Sequence, residues 1–175
     1  MRRTLPVRLT KAKLLERRGC LIPLAFCIPG DIALPTGGYR YDREVLARLG
    51  GQGVSARHLQ LDGSYPDPSS NDLTRTKAQL AACPPREILL IDGLALGAMP
   101  PAMIADLPHR VVALVHHPLG LEAGLPDGRA TFLLRNENVV LAHVRHVIVT
   151  SSATKRFLLR DFGLTDRKEI GRAHV

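Results

Sequence analysis

Short apolar runs alternate with amphipathic stretches along most of the chain. Residues 24–28 form an apolar run bounded by Pro23 and by Pro29-Gly30, which predicts a buried strand. After the segment 31–38, Tyr41, Val45 and Leu49 recur four residues apart and run into Gly50, Gly51 and Gly53, the pattern of an amphipathic helix stopped by glycines. Residues 54–61 predict a second strand, and the Asp-, Ser-, Gly- and Pro-bearing stretch 62–70 an exposed loop. A helix over 73–82 stops at Pro84-Pro85, and a third strand, 88–91, closes at Asp92-Gly93. Pro100-Pro101 introduces a short helix before a fourth strand over 111–115, which ends at His116-His117-Pro118. A loop to Arg129, a helix over about 131–143 and a fifth strand over 147–149 follow. Thr150-Ser151-Ser152 then caps a helix over 153–161, with Gly163 beyond its end.

Strands apolar on both faces and separated by helices call for a parallel sheet covered on two sides with right-handed crossovers. The expected fold is therefore α/β: a Rossmann-like parallel sheet of about five or more strands, over residues 21–166. Ligands of such sheets bind beyond the carboxyl ends of the strands, which directs attention to residues 29–38, Asp92-Gly93, 116–122 and 150–152. At 175 residues, 45% hydrophobic and 23% charged, the chain is of one-domain size and globular composition, and no apolar run reaches the roughly 18 residues of a membrane span. Cys20, Cys27 and Cys83 form no CxxC pair, which argues against a disulfide framework or a cysteine-rich zinc site.

Chemistry at the strand ends is carried by few residues. Pro35-Thr36-Gly37-Gly38 lies between strand and helix, where backbone N–H groups and the helix dipole favour an anion and Gly37 and Gly38 allow close approach; equally, the pair makes a tight turn. The dinucleotide motif GxGxxG, the P-loop GxxxxGK[ST] and the hydrolase elbow GxSxG are all missing. His116 and His117 sit at the mouth of a buried strand, and in extended backbone their rings point to opposite sides, so one can face the crevice as a proton or hydrogen-bond donor. The competing reading is a polar pair that completes the turn before Pro118. Glu122 and Asp92 are candidate hydroxyl ligands or solvated charges, and Thr150 and Ser151 cap a helix whatever else they bind. No metal is expected, since these acids and histidines show no recognised ligand spacing.

The net charge of +8 suggests nucleic acid until it is mapped. Residues 1–20 carry +6 and residues 167–175 carry +2, so the body is neutral and no phosphate-reading surface is expected on the fold. Residues 1–20 read as a basic leader rather than an export signal, because the apolar stretch after it is short and broken by Pro23. Glu169-Ile170-Gly171-Arg172-Ala173-His174-Val175 looks like the translation of a short-read sequencing adapter, so residues 167–175 are expected to be a non-native tail.

Taken in order, Ile28-Pro29-Gly30-Asp31, Pro35-Thr36-Gly37-Gly38-Tyr39-Arg40-Tyr41-Asp42, Ile91-Asp92-Gly93-Leu94-Ala95, Val115-His116-His117-Pro118-Leu119-Gly120-Leu121-Glu122 and Val147-Ile148-Val149-Thr150-Ser151 with Phe162-Gly163 resemble the acceptor-side N-terminal domain of a family 4 glycosyltransferase of the two-domain GT-B fold. The resemblance implies a retaining transfer of sugar from a nucleotide-sugar donor to an acceptor hydroxyl on a glycan or lipid, with no cofactor and no metal. It implies Gly37 and Gly38 near the donor diphosphate, His116 or His117 facing sugar and acceptor, and Asp92 and Glu122 as acceptor-side contacts. The family's C-terminal domain has no counterpart in these 175 residues, so the resemblance also implies a truncated chain that is inactive alone and exposes a crevice face poor for solubility. The alternative from another class is a non-catalytic Rossmann-like ligand-binding module whose basic leader touches a membrane or nucleic acid. Unpaired cysteines and the lack of an export signal point to the cytoplasm, with the leader able to reach the inner membrane surface.

Overall fold

A computed structural model describes residues 21–164 and, as backbone, residues 170–172. The basic leader 1–20 and residues 167–169 and 173–175 of the tail lie outside the described residues.

Five parallel strands build the sheet: β1 (Ile22–Pro29), β2 (Val54–Leu61), β3 (Ile88–Asp92), β4 (Arg110–Val115) and β5 (His146–Val149). They run in the order β2-β1-β3-β4-β5, and β6 (Ile170–Arg172), inside the segment read as adapter-derived, pairs in parallel with β5 at the edge. An open edge offers backbone groups to any extended chain, so three paired residues require nothing of the sequence that supplies them. The helices are α1 (Gly37–Leu49), α2 (Ser70–Ala81), α3 (Gly93–Leu96), α4 (Pro101–Ala105), α5 (Asp127–His143) and α6 (Ser152–Asp161). This is the α/β, Rossmann-like layer that the alternating pattern predicts.

Alternation along the strands divides the core in two. Ala25, Cys27, Leu89, Ile91, Ala113, Val115 and Val147 face one side, where Leu80 of α2, Leu96 of α3, Met103 of α4, Val140 of α5 and Leu158 of α6 cover them. Leu24, Phe26, Ile28, Leu90 and Leu114 face the other side and pack against Tyr41, Val45 and Leu49 of α1. Phe26 is fully buried there, which contributes about 2–3 kcal/mol relative to exposure. Cys27 and Cys83 are free and buried, and burial pushes the Cys27 thiol well above its ordinary range.

Register decides where the strands end. Cys27 pairs beside Ile91 and Ile91 beside Ala113, so β1, β3 and β4 finish level with one another. Strand order reverses between β1 and β3, which opens a crevice at their carboxyl ends. Helix α5 braces that rim. Its Asn136 donates to the carbonyls of Gly97 and Met99 at 2.7 and 2.9 Å, and its Glu137 accepts the Leu119 N–H at 3.0 Å. The turn after β4 lies so close to α5 that a Cβ on Gly120 would stand 2.4 Å from the Ala130 carbonyl oxygen. Only glycine fits.

Candidate functional site

Three segments deliver the polar groups of the crevice. Thr36 caps α1, accepting the Tyr39 N–H at 3.1 Å, and the helix then carries Gly38, Tyr39 and Asp42 past the end of β1. Asp92 ends β3 and caps α3, its Oδ1 accepting the Leu94 N–H at 2.9 Å. His116 follows β4, and its backbone carbonyl is held by the hydroxyls of Thr150 at 3.3 Å and Thr154 at 3.0 Å. A cavity of about 590 Å³ forms between these segments, with His117, Glu122, Pro66, Leu94, Leu119, Leu125 and Leu133 also on its walls. A hollow of similar size, about 560 Å³, lies along α5 between Pro101 and Val139, but no strand-end residue reaches it.

At the centre of the strand-end cavity His116 Nε2 stands 3.0 Å from Asp42 Oδ1 and 3.2 Å from Asp92 Oδ2. Both carboxylates are buried, whereas a quarter of the histidine side chain is exposed. Tyr41 packs edge-on to the imidazole, ring centres 5.3 Å apart. Burial works against the charged ring, but hydrogen bonds to Asp42 and Asp92, together with their charges, outweigh it and push the His116 pKa up to about 9. Burial also raises Asp42, with the His116 hydrogen bond pulling the other way, so the cluster holds its proton through neutral pH.

No family model matches the chain, and no curated protein matches it.

Of the residues singled out in the sequence, Gly38, Asp92, His116, His117 and Glu122 meet in the one cavity. Gly38 is close to the ring: a Cβ there would lie 3.8 Å from His116 Cδ2 and Nε2. Gly37 is the first residue of α1 and instead faces a shallow surface with Arg40, Tyr41, Glu44 and Arg48. His117 and Glu122 are exposed at the rim. Asp92 spends one oxygen on the helix cap and the other on His116, which makes it a clamp on the imidazole more than a free ligand. Thr150 and Ser151 do not line the cavity. Thr150 supports the His116 carbonyl, and Ser151 caps α6 by accepting the Thr154 N–H at 3.0 Å.

Asp42 is the functional residue that the strand-end reading passed over. It sits between Tyr41 and Val45 on the buried stripe of α1, and an acid on an apolar stripe was the available signal. His116, Asp42 and Asp92 offer one ligand atom each within 4.8 Å of one another, which is also a spacing that a metal ion can span. A charged hydrogen bond of 3.0 Å to Asp42 and an ion-pair contact of 3.2 Å to Asp92 account for the arrangement without an ion.

A protonated imidazole clamped by two acids is a fixed donor rather than a base. Its Nε2 is taken by the carboxylates.

Proposed function

We propose that this chain is the acceptor-side half of a retaining glycosyltransferase that moves sugar from a nucleotide-sugar donor to a hydroxyl. The observation that carries the reading is the His116 ring, clamped by Asp42 and Asp92 in a cavity at the carboxyl ends of β1, β3 and β4. In the transfer, the bond from the anomeric carbon to the donor phosphate breaks and a bond from that carbon to the acceptor oxygen forms. The acceptor's proton leaves with the nucleoside diphosphate. His116 needs to gain or lose no proton in this scheme. It orients sugar or acceptor oxygens in the transition state, while backbone N–H groups around Gly38 stand near the departing charge. Among the described residues no Lys or Arg lines the cavity, so the grip on the donor phosphates falls to groups elsewhere.

The test is histidine-selective NMR of the 175-residue chain. Simple glycosides are expected to shift the His116 resonances, while NAD is expected to leave them in place. A shift with NAD and none with any glycoside would overturn the reading in favour of a dinucleotide-binding module. The chain alone is expected to give no measurable transfer from UDP- or GDP-sugars, and steady turnover would overturn its assignment as one half of a crevice.

A further inference from the structure

The walls of the strand-end cavity differ sharply in chemistry. One side is acidic: among the described residues Asp42, Asp92 and Glu122 line it with no Lys or Arg to balance them, and His116 is already spanned by two of those acids. Asp42 is wholly buried, and its Oδ2 has no hydrogen-bond partner. That oxygen is closed to solvent and meets no ligand atom; the charge of the acids disfavours a phosphate or carboxylate in the cavity, and the exposed Glu122 carboxylate accepts from a ligand O–H or N–H. The other side is apolar, formed by Pro66, Leu94, Leu119, Leu125 and Leu133. Together the walls ask for a ligand with donors at one end, no negative charge, and an apolar body a few ångströms away.

We propose that the cavity binds an uncharged acceptor whose hydroxyls face His116 and Glu122 and whose apolar portion lies on the leucine wall, an alkyl- or aryl-bearing glycoside rather than a free or anionic sugar. This rests on the glycosyltransferase reading above and narrows its acceptor. Glu122 stands exposed at the rim and repels anionic ligands, while Leu125, half-buried in the loop before α5, supplies apolar contact that does not belong to the core of the sheet.

The experiment needs no turnover. Hexyl β-glucoside, methyl β-glucoside and hexyl β-glucuronide are titrated into the full chain with EDTA present, and binding is read from the His116 resonances. Hexyl glucoside is expected to bind about tenfold more tightly than methyl glucoside, the effect of burying roughly two of its extra methylenes. The glucuronide is expected to bind about tenfold more weakly than hexyl glucoside. Glu122→Lys should erase most of the penalty on the glucuronide, and Leu125→Ser most of the hexyl advantage; both positions lie outside the sheet core, so the fold is retained. Equal affinity for the two glucosides, or a preference for the glucuronide, overturns the proposed acceptor class while leaving glycoside binding, and with it the transferase reading, intact. Failure of both glucosides to bind overturns that reading as well. Binding that appears only when Mn²⁺ replaces EDTA assigns the acids to a metal and overturns the proposal.

Discussion

His116 stays protonated because two buried acids flank it, and this fixes how the site responds to pH. Its pKa is about 9 when folded, against an ordinary value of 6.5, so the stabilisation is complete below pH 6.5 and is lost as pH rises through about 9. The linked free energy is on the order of 3 kcal/mol. A two-dimensional NMR titration is expected to give a His116 midpoint near 9 in the native chain. Asp42→Asn removes the nearer carboxylate, 3.0 Å away, and is expected to bring that midpoint back toward 6.5 and cost about 1–3 kcal/mol of stability by urea unfolding near neutral pH. A native midpoint at the ordinary value would show that the carboxylates do not grip the ring. At this scale the sequence was only partly legible. His116 announced itself by ending an apolar strand. Its main partner lies 74 residues earlier, on a helix whose apolar stripe gives no hint of which strand end it will meet.

Among the elements, α5 does the most to hold the rim in place, through a residue that the periodic pattern does not single out. Glu137 is 1% exposed, one of its oxygens accepts the Leu119 N–H, and the other has no partner. Burial raises its pKa to about 8, with the Leu119 hydrogen bond opposing, and no charged side chain contributes to the shift. The folded value lies above the unfolded one, so this contribution is complete below about pH 4.5 and drains away as pH rises to about 8. Glu137→Gln keeps an oxygen for Leu119 and carries no charge. The variant is expected to flatten the stability profile between pH 5 and 8 and, above pH 8, to be more stable than the native chain by on the order of 2–4 kcal/mol, leaving the His116 phase near 9 in place. Chemical unfolding at several pH values checks this; parallel profiles for the two proteins would mean that the carboxyl is ionised and tolerated. Apolar periodicity located β2 to the residue and most other elements to within a few. It started α2 and α5 late because their first turns are polar, set by the Ser69–Asp72 capping box and by Asp127 behind Pro126. Helix α3 escaped because four residues after an Asp cap carry no period.

For the molecule as a whole, the two faces of the sheet are unequally covered, and the site is built across that inequality. Helices α2 to α6 contribute to one face, whereas among the described residues α1 is the helix packed on the other. Yet α1 brings Gly38 and Asp42 to the cavity, while Asp92 and His116 come from the ends of the central strands β3 and β4. Local opening free energy follows the apolar contact that holds each element, so α1 belongs to the less stable part of the fold and β3 and β4 to its most stable part. Native-state hydrogen exchange is therefore expected to show the slowest amides in β3 and β4 and amides in α1 exchanging about tenfold faster or more. A ligand held between Tyr39 of α1 and His116 ties α1 to those strands, so saturating hexyl glucoside is expected to slow exchange over α1 while leaving β3 and β4 near their unliganded rates, because their opening already approaches global unfolding. Uniform protection across α1, β3 and β4 without ligand would mean that one helix covers its face as firmly as five cover theirs. Protection that grows in α5 but not in α1 would put the ligand in the hollow along Pro101 and Val139 instead of at the strand ends.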